Sequence, residues 1–182
     1  MRKITLAAVA ATAAVAAVLP SVAGAHATVS AMQPQGASLT GARQAYVVRA
    51  PNETVDLFVA RITLLVPEPV QAAISVRPSP GWNVKLTRVP TGAKDEEGNP
   101  VMKTTKVEWT AKKGFAYGPG FYDEWDIRFQ NPVTPQKICF PIIQYYRGKR
   151  VKGKKTKTET VRWTGSEGSE TPASCINVVA QA

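Results

Sequence analysis

His26 is the one histidine of the 182-residue sequence, and its position could let it bind a metal ion through two nitrogens. If the chain is cleaved just before it, His26 carries both a terminal amine and an imidazole, and the amine and Nδ1 can close a six-membered chelate ring on one metal ion. An α-amine and an imidazole ordinarily lose their protons near about pH 8 and about pH 6.5, so both donors become available close to neutral pH. Two nitrogens in one plane suit Cu(II), which prefers tetragonal N and O ligands. The alternative is a frayed terminal residue without a function.

The residues ahead of His26 have the three parts of a secretory signal. Arg2 and Lys3 give a charged start, residues 4–19 form an apolar stretch, and Ala23-Gly24-Ala25 is a small-residue cleavage site. We therefore predict that 1–25 is a signal peptide. The competing interpretation is a retained membrane anchor. An anchor needs about 20 apolar residues, whereas this stretch ends at residue 19 and is followed by Pro20. No second stretch of that length follows, so we expect an exported protein, periplasmic or at the cell surface, without an anchor after cleavage.

A chelate at His26 needs further ligands, and no second histidine is present. A carboxylate must therefore complete the site. Glu53 lies in the turn 50–54 between two predicted strands, from which it could reach a chain terminus at the end of a sandwich. Periodicity alone does not separate it from Asp56 or Glu124.

Composition limits the other functions. The length after cleavage fits one domain, 26–182. The net charge of +10 favours attraction to anionic envelope polymers or lipid headgroups, and no nucleic-acid motif is present.

Cys139 and Cys175 in an exported chain predict one disulfide, with a pair of buried thiols as the alternative. A thiolate metal site is disfavoured because such sites cluster several Cys and His residues.

The apolar pattern predicts an all-β protein. No long segment after the signal keeps a 3.6-residue period free of Gly and Pro, whereas 82–86 and 107–111 alternate apolar and polar residues as half-buried strands do. We predict an immunoglobulin-like or cupredoxin-like β-sandwich of about nine short strands. They cover residues 46–49, 55–65, 74–76, 82–86, 107–111, 121–129, 138–146, 159–163 and 176–179.

A basic segment runs from Arg147 to Lys157 between two predicted strands and holds seven Lys and Arg residues. One interpretation is a solvated hairpin tip whose like charges repel. The other is a functional basic patch that contacts an anionic envelope polymer.

Short motifs in a fixed order resemble the YcnI-like family of exported copper-binding domains. These motifs are His-Ala-Thr-Val (26–29), Ala-Pro-Asn-Glu (50–53), Ser-Pro-Gly-Trp-Asn-Val (79–84), Gly-Pro-Gly-Phe-Tyr-Asp-Glu-Trp (118–125), Gln-Tyr-Tyr (144–146) and Val-Arg-Trp-Thr-Gly (161–165) followed by Thr-Pro (171–172).

The resemblance implies a one-histidine copper brace. The amine and Nδ1 of His26 would bind one Cu(II) per chain, Glu53 would supply a carboxylate oxygen, and Trp163 would lie against the ion. An indole N–H has no free lone pair, but its π face can shield and attract a cation. The alternative for Trp163 is a core residue on a strand, and we place Trp82, Trp109 and Trp125 in the core or at its rim.

The sequence thus favours a non-enzymatic Cu(II)-binding protein, a metallochaperone or copper-homeostasis protein that passes copper to a membrane transporter or another copper protein. Oxidative copper monooxygenases need two histidines, and a Ser-His-Asp hydrolase needs a rigidly held histidine. Only Met32 and Met102 remain after cleavage, which disfavours a Met-rich Cu(I) site. The competing hypothesis is a metal-independent adhesion or assembly module, which would not need His26.

Overall fold

The computed structural model describes residues 26–32, 36–72 and 74–181, so the predicted signal peptide lies outside the described residues. Strands dominate this part of the chain, and its one helix is the 3₁₀ turn Glu68–Val70. The twelve strands are β1 Thr28–Ala31, β2 Ser38–Leu39, β3 Arg43–Pro51, β4 Phe58–Leu65, β5 Ser75–Val76, β6 Trp82–Lys94, β7 Pro100–Ala111, β8 Tyr122–Gln130, β9 Gln136–Phe140, β10 Ile142–Arg147, β11 Thr158–Trp163 and β12 Ser174–Val179.

These strands form three sheets that enclose one apolar core. The four-stranded sheet has the order β1-β3-β8-β5, the five-stranded sheet β11-β10-β4-β7-β6, and the three-stranded sheet β2-β12-β9. Strand neighbours are antiparallel except for β2 and β12. Buried residues from all three sheets belong to one cluster, which confirms the predicted all-β sandwich class.

Along the strands, every second side chain points into the core. Along β3, Tyr46 and Val48 are buried while Arg49 points outward, and along β7 Val107 and Trp109 are buried while Thr110 is exposed. The indole of Trp109 lies 5.7 Å, centroid to centroid, from that of Trp125 on β8 in the facing sheet. Trp82, Trp109 and Trp125 are all buried, as expected from the sequence.

The strand boundaries differ from the prediction in physically simple ways. The predicted strand 138–146 is divided at Pro141, because β9 belongs to the three-stranded sheet and β10 to the five-stranded one. β6 and β7 are longer than predicted and form a hairpin whose polar tip turns at Gly98. As an edge strand, β6 leaves Val84 37% exposed. The very short β1 and β2 were not predicted.

Cys139 and Cys175 lie opposite each other on β9 and β12 and form a disulfide, which confirms that prediction. The bond joins residues 36 positions apart in the sequence and links the last strand to the middle of the chain. It therefore limits the freedom of the unfolded chain around the three-stranded sheet.

We expect the Cys139→Ser, Cys175→Ser double variant to lose about 3–4 kcal/mol of unfolding free energy, because closing a loop of this length restricts the unfolded ensemble by that amount. Urea denaturation of the oxidised protein and of the double variant measures the difference. Identical midpoints and slopes for the two proteins would show that the bond does not contribute to stability.

Candidate metal centre

The start of β1 places His26 beside the end of β3. In the antiparallel pair, Thr28 is opposite Arg49, and continuing that register by two residues brings His26 level with Pro51. Ala27 is buried and Val29 N donates a hydrogen bond to Ser174 Oγ at 2.8 Å, so the strand is fixed directly after the histidine. His26 itself is exposed. The fold therefore holds the backbone near His26 while leaving its side chain accessible.

Trp163, the last residue of β11, contacts His26. The two ring centroids are 4.9 Å apart and the ring planes are tilted by 51°. Trp163 is 6% exposed, so very little of it reaches solvent. Among the described residues, no hydrogen bond or ion pair engages the His26 ring, so its unprotonated nitrogen is not occupied by any of them.

A fully buried glutamine, Gln144 on β10, determines the direction in which the indole points. Trp163 Nε1 donates a hydrogen bond to Gln144 Oε1, and Gln144 Nε2 donates one to Pro51 O at 2.9 Å. The indole N–H is therefore engaged by an amide inside the protein. One side chain thus links the five-stranded sheet to the end of β3.

Glu53 follows two residues after Pro51, in a turn held by Asn52. The buried Asn52 donates from Nδ2 to Leu57 O at 2.9 Å and to Tyr117 O at 3.0 Å, and its Oδ1 accepts from Thr54 N at 3.0 Å. These bonds shape the turn on both sides of Glu53, whose side chain is exposed. The turn is therefore ordered by its neighbours, while the carboxylate is available to solvent or a ligand.

The structure distinguishes among the three candidate carboxylates. Asp56 pairs with Lys157 at 3.2 Å, and Glu124 pairs with Arg49 at 2.6 Å. Among the described residues, Glu53 forms no such ion pair. Of the three, Glu53 is the one whose negative charge is not already balanced by a neighbouring cation.

A buried phenol lies next to this carboxylate. Burial raises the pKa of Tyr146 well above its ordinary value, and the charges of Glu53 and then Glu159 raise it further. Tyr146 lies on β10, the strand that also carries Gln144. Tyr146 stays neutral at physiological pH, so it does not compete as an anionic ligand.

Of the three residues predicted from sequence, His26 and Trp163 are in direct ring contact, and Glu53 follows two residues after Pro51, the residue level with His26. The described residues contain no group of three or more His, Cys, Asp and Glu side chains able to hold a metal ion. Sequence reasoning assigned no role to Gln144, although a glutamine between Ile143 and Tyr145 in an apolar strand must find hydrogen-bond partners.

Comparison with known proteins identifies a family, a curated relative and a similar solved structure. Residues 26–178 match the family described as "Domain of unknown function (DUF1775)". The chain is 26% identical over 141 residues to the copper-binding protein CutI of Bacillus subtilis (strain 168), which covers 78% of this chain and 58% of the relative. An uncharacterized protein from Nocardia farcinica with an immunoglobulin-like fold superposes with a TM-score of 0.61 at 21% identity, covering 86% of this chain and 99% of that one. The last match shows the immunoglobulin-like fold.

The Gln144→Leu variant should lose about 2–4 kcal/mol of unfolding free energy, because the Pro51 carbonyl and the Trp163 N–H both lose a buried partner. Urea denaturation measures the loss. The double variant Gln144→Leu, Trp163→Phe should lose less than the sum of the two single changes, since the phenyl ring has no N–H to leave unpaired. Strict additivity would contradict the proposed bridge.

Proposed function

The chain belongs to the DUF1775 family, and from that premise we propose that it is an exported protein that binds one Cu(II) ion at His26, Glu53 and Trp163. The family match and the copper-binding relative confirm the resemblance to the YcnI-like family that the sequence motifs indicated. The relative's name and the immunoglobulin-like fold support a non-enzymatic binding protein. The observation that carries the proposal is the contact between the ring of His26, the one histidine, and the ring of Trp163.

The donor set fits copper. The His26 amine and Nδ1 would supply two nitrogens in one plane, and the Glu53 carboxylate an oxygen, the combination that Cu(II) favours. The Glu53 charge also offsets part of the charge of the ion. When bound, copper would be a Lewis-acidic cation, and the residues around it would bind and orient it.

Trp163 would cover one side of the ion. Its N–H is engaged by Gln144, and its π face would attract the cation without donating a lone pair. The ring is fixed by a buried hydrogen bond and needs no rearrangement when the ion arrives. It would limit the approach of water from that side.

The exposure of His26 and Glu53 supports delivery of copper. An ion with open positions in its ligand shell can be taken over by an incoming ligand without unfolding the site. We propose that the recipient is a membrane copper transporter or another copper protein.

Among the described residues, no helix is long and apolar enough to cross a membrane. The disulfide supports an oxidising compartment such as the periplasm or cell surface.

The brace requires cleavage directly before His26, because an additional residue converts the terminal amine into an amide. We expect protein that begins at His26 to bind one equivalent of Cu(II) in calorimetric titration. A matched protein with one extra alanine ahead of His26 should bind at least about 100-fold more weakly, since the chelate ring is lost. Equal affinity of the two proteins, or no binding by either, would contradict the brace and favour the metal-independent adhesion module.

The remaining two residues are tested in protein that begins at His26. Glu53→Gln should weaken Cu(II) binding by at least the roughly 10-fold typical of disturbing a metal's surroundings, because it removes the negative oxygen donor. Asp56→Asn is the matched control, since Asp56 lies in the same loop but pairs with Lys157, and its Cu(II) affinity should be unchanged. Trp163→Leu should also bind more weakly and change the visible absorption of the complex.

An affinity loss in Asp56→Asn as large as in Glu53→Gln would show that general loop charge, and not a ligand, is responsible. An unchanged spectrum and affinity in Trp163→Leu would remove the indole from the site. Circular dichroism of each apo-protein confirms that the variants are folded.

A further inference from the structure

The segment of seven basic residues lies beside the turn that carries Glu53, at the opposite end of β11 from Trp163. It connects β10 to β11, and Gly148 N donates a hydrogen bond to Lys157 O at 2.8 Å, which closes the base of the loop. Lys157 also pairs with Asp56, three residues after Glu53. We call this loop, together with the neighbouring residues Val55, Phe58, Lys113 and Pro119, the basic face.

The basic face has two adjoining clefts that share Phe58, Gly148 and Lys149. In the first, the side chains of Lys113, Arg147 and Arg150 line the space above Phe58. In the second, Lys154 and Lys155 line the walls. Cations held this close together repel one another, and bound anions relieve that repulsion.

The acidic groups near this face do not balance its charge. Asp56 is already paired with Lys157. The remaining acids close by are Glu53, at the candidate metal centre, and Glu159 on β11, both of which act on Tyr146. The segment from Arg147 to Lys157 contains no acidic residue. The face therefore has a large excess of positive charge.

Apolar side chains are exposed among these cations. Val55 is 91% exposed and Val151 is 52% exposed, and both line the second cleft together with Pro119. Phe121, two residues after Pro119, is 67% exposed. Isolated exposed apolar residues are ordinary on protein surfaces, but here they are set among lysines on neighbouring loops at one end of the sandwich.

We propose that the basic face docks on an anionic phospholipid membrane surface. The lysines and arginines would contact the phosphate headgroups, and Val55, Val151 and Phe121 would enter the boundary between headgroups and acyl chains. A hydrophilic polyanion would satisfy the charges but would leave the apolar side chains in water. Docking would also bring Glu53 close to the membrane, where a membrane recipient of copper would lie.

The docking surface is tested without copper, so its outcome is independent of the metal site. Protein that begins at His26 is sedimented with vesicles of equal parts phosphatidylglycerol and phosphatidylcholine, and with vesicles of phosphatidylcholine alone, in about 0.1 M salt. We expect binding to the anionic vesicles that weakens as salt is added, and no binding to the neutral vesicles. Equal binding to both kinds of vesicle would overturn the proposal.

Two variants identify the contact. Replacing Lys149, Arg150, Lys154 and Lys155 by Gln should lower partitioning onto anionic vesicles about 100-fold, because each cation near the surface contributes separately. The matched control removes the same charge from the β6–β7 hairpin, with Lys85, Arg88, Lys94 and Lys103 replaced by Gln, and should lower partitioning by about threefold or less. Equal losses in the two variants would show attraction by net charge alone and overturn the assigned face.

The apolar contribution separates a membrane from a polyanion. The Val55→Ser, Val151→Ser variant should partition onto anionic vesicles about 10-fold more weakly than the parent, while binding long-chain polyphosphate with unchanged affinity. Unchanged partitioning of this variant, together with tight binding of the parent to polyphosphate, would overturn membrane docking in favour of a soluble anionic polymer.

Discussion

The region that carries the candidate metal centre, between the end of β3 and the end of β11, depends on one buried amide. Gln144 is completely shielded from water, and its two polar atoms are satisfied by Pro51 O and Trp163 Nε1. A buried amide without partners is strongly unfavourable, so the end of β3 and the end of β11 must both be in place when this region is folded. The amide therefore ties two sheets together at the point where the chain presents Trp163 on one side and the turn with Glu53 on the other.

That constraint divides the centre into a rigid part and an accessible part. The indole and the Asn52 turn are held by buried hydrogen bonds, whereas the side chains of His26 and Glu53 are exposed. A prepared surface with accessible donors fits a protein that takes up an ion and gives it to a partner. The basic face begins in the same loop as Glu53 and is joined to it by the pair of Asp56 and Lys157. Approach to an anionic surface would then bring Glu53 close to that surface.

The sequence predicted the fold class because alternation along β7 and the absence of helical periodicity are local signals. It did not predict the division at Pro141, because which sheet a strand joins depends on long-range pairing. The site residues were predicted from the single histidine and the motif order, and the contact of His26 with Trp163 depends on strand registers that no local pattern contains. The family resemblance selected Glu53, whereas the ion pairs of Asp56 and Glu124 could be seen only in the structure. The role of Gln144 likewise required knowledge of its two distant partners.

The central claim is that one residue provides two nitrogen ligands to copper, and the single histidine makes this directly measurable. Protein that begins at His26 is labelled with ¹⁵N in histidine alone, loaded with one equivalent of Cu(II), and studied by electron–nuclear double resonance. Every ¹⁵N coupling then arises from His26. The account predicts strong couplings from two directly bound nitrogens, the amine and one imidazole nitrogen. A single strongly coupled nitrogen, or none, would contradict it.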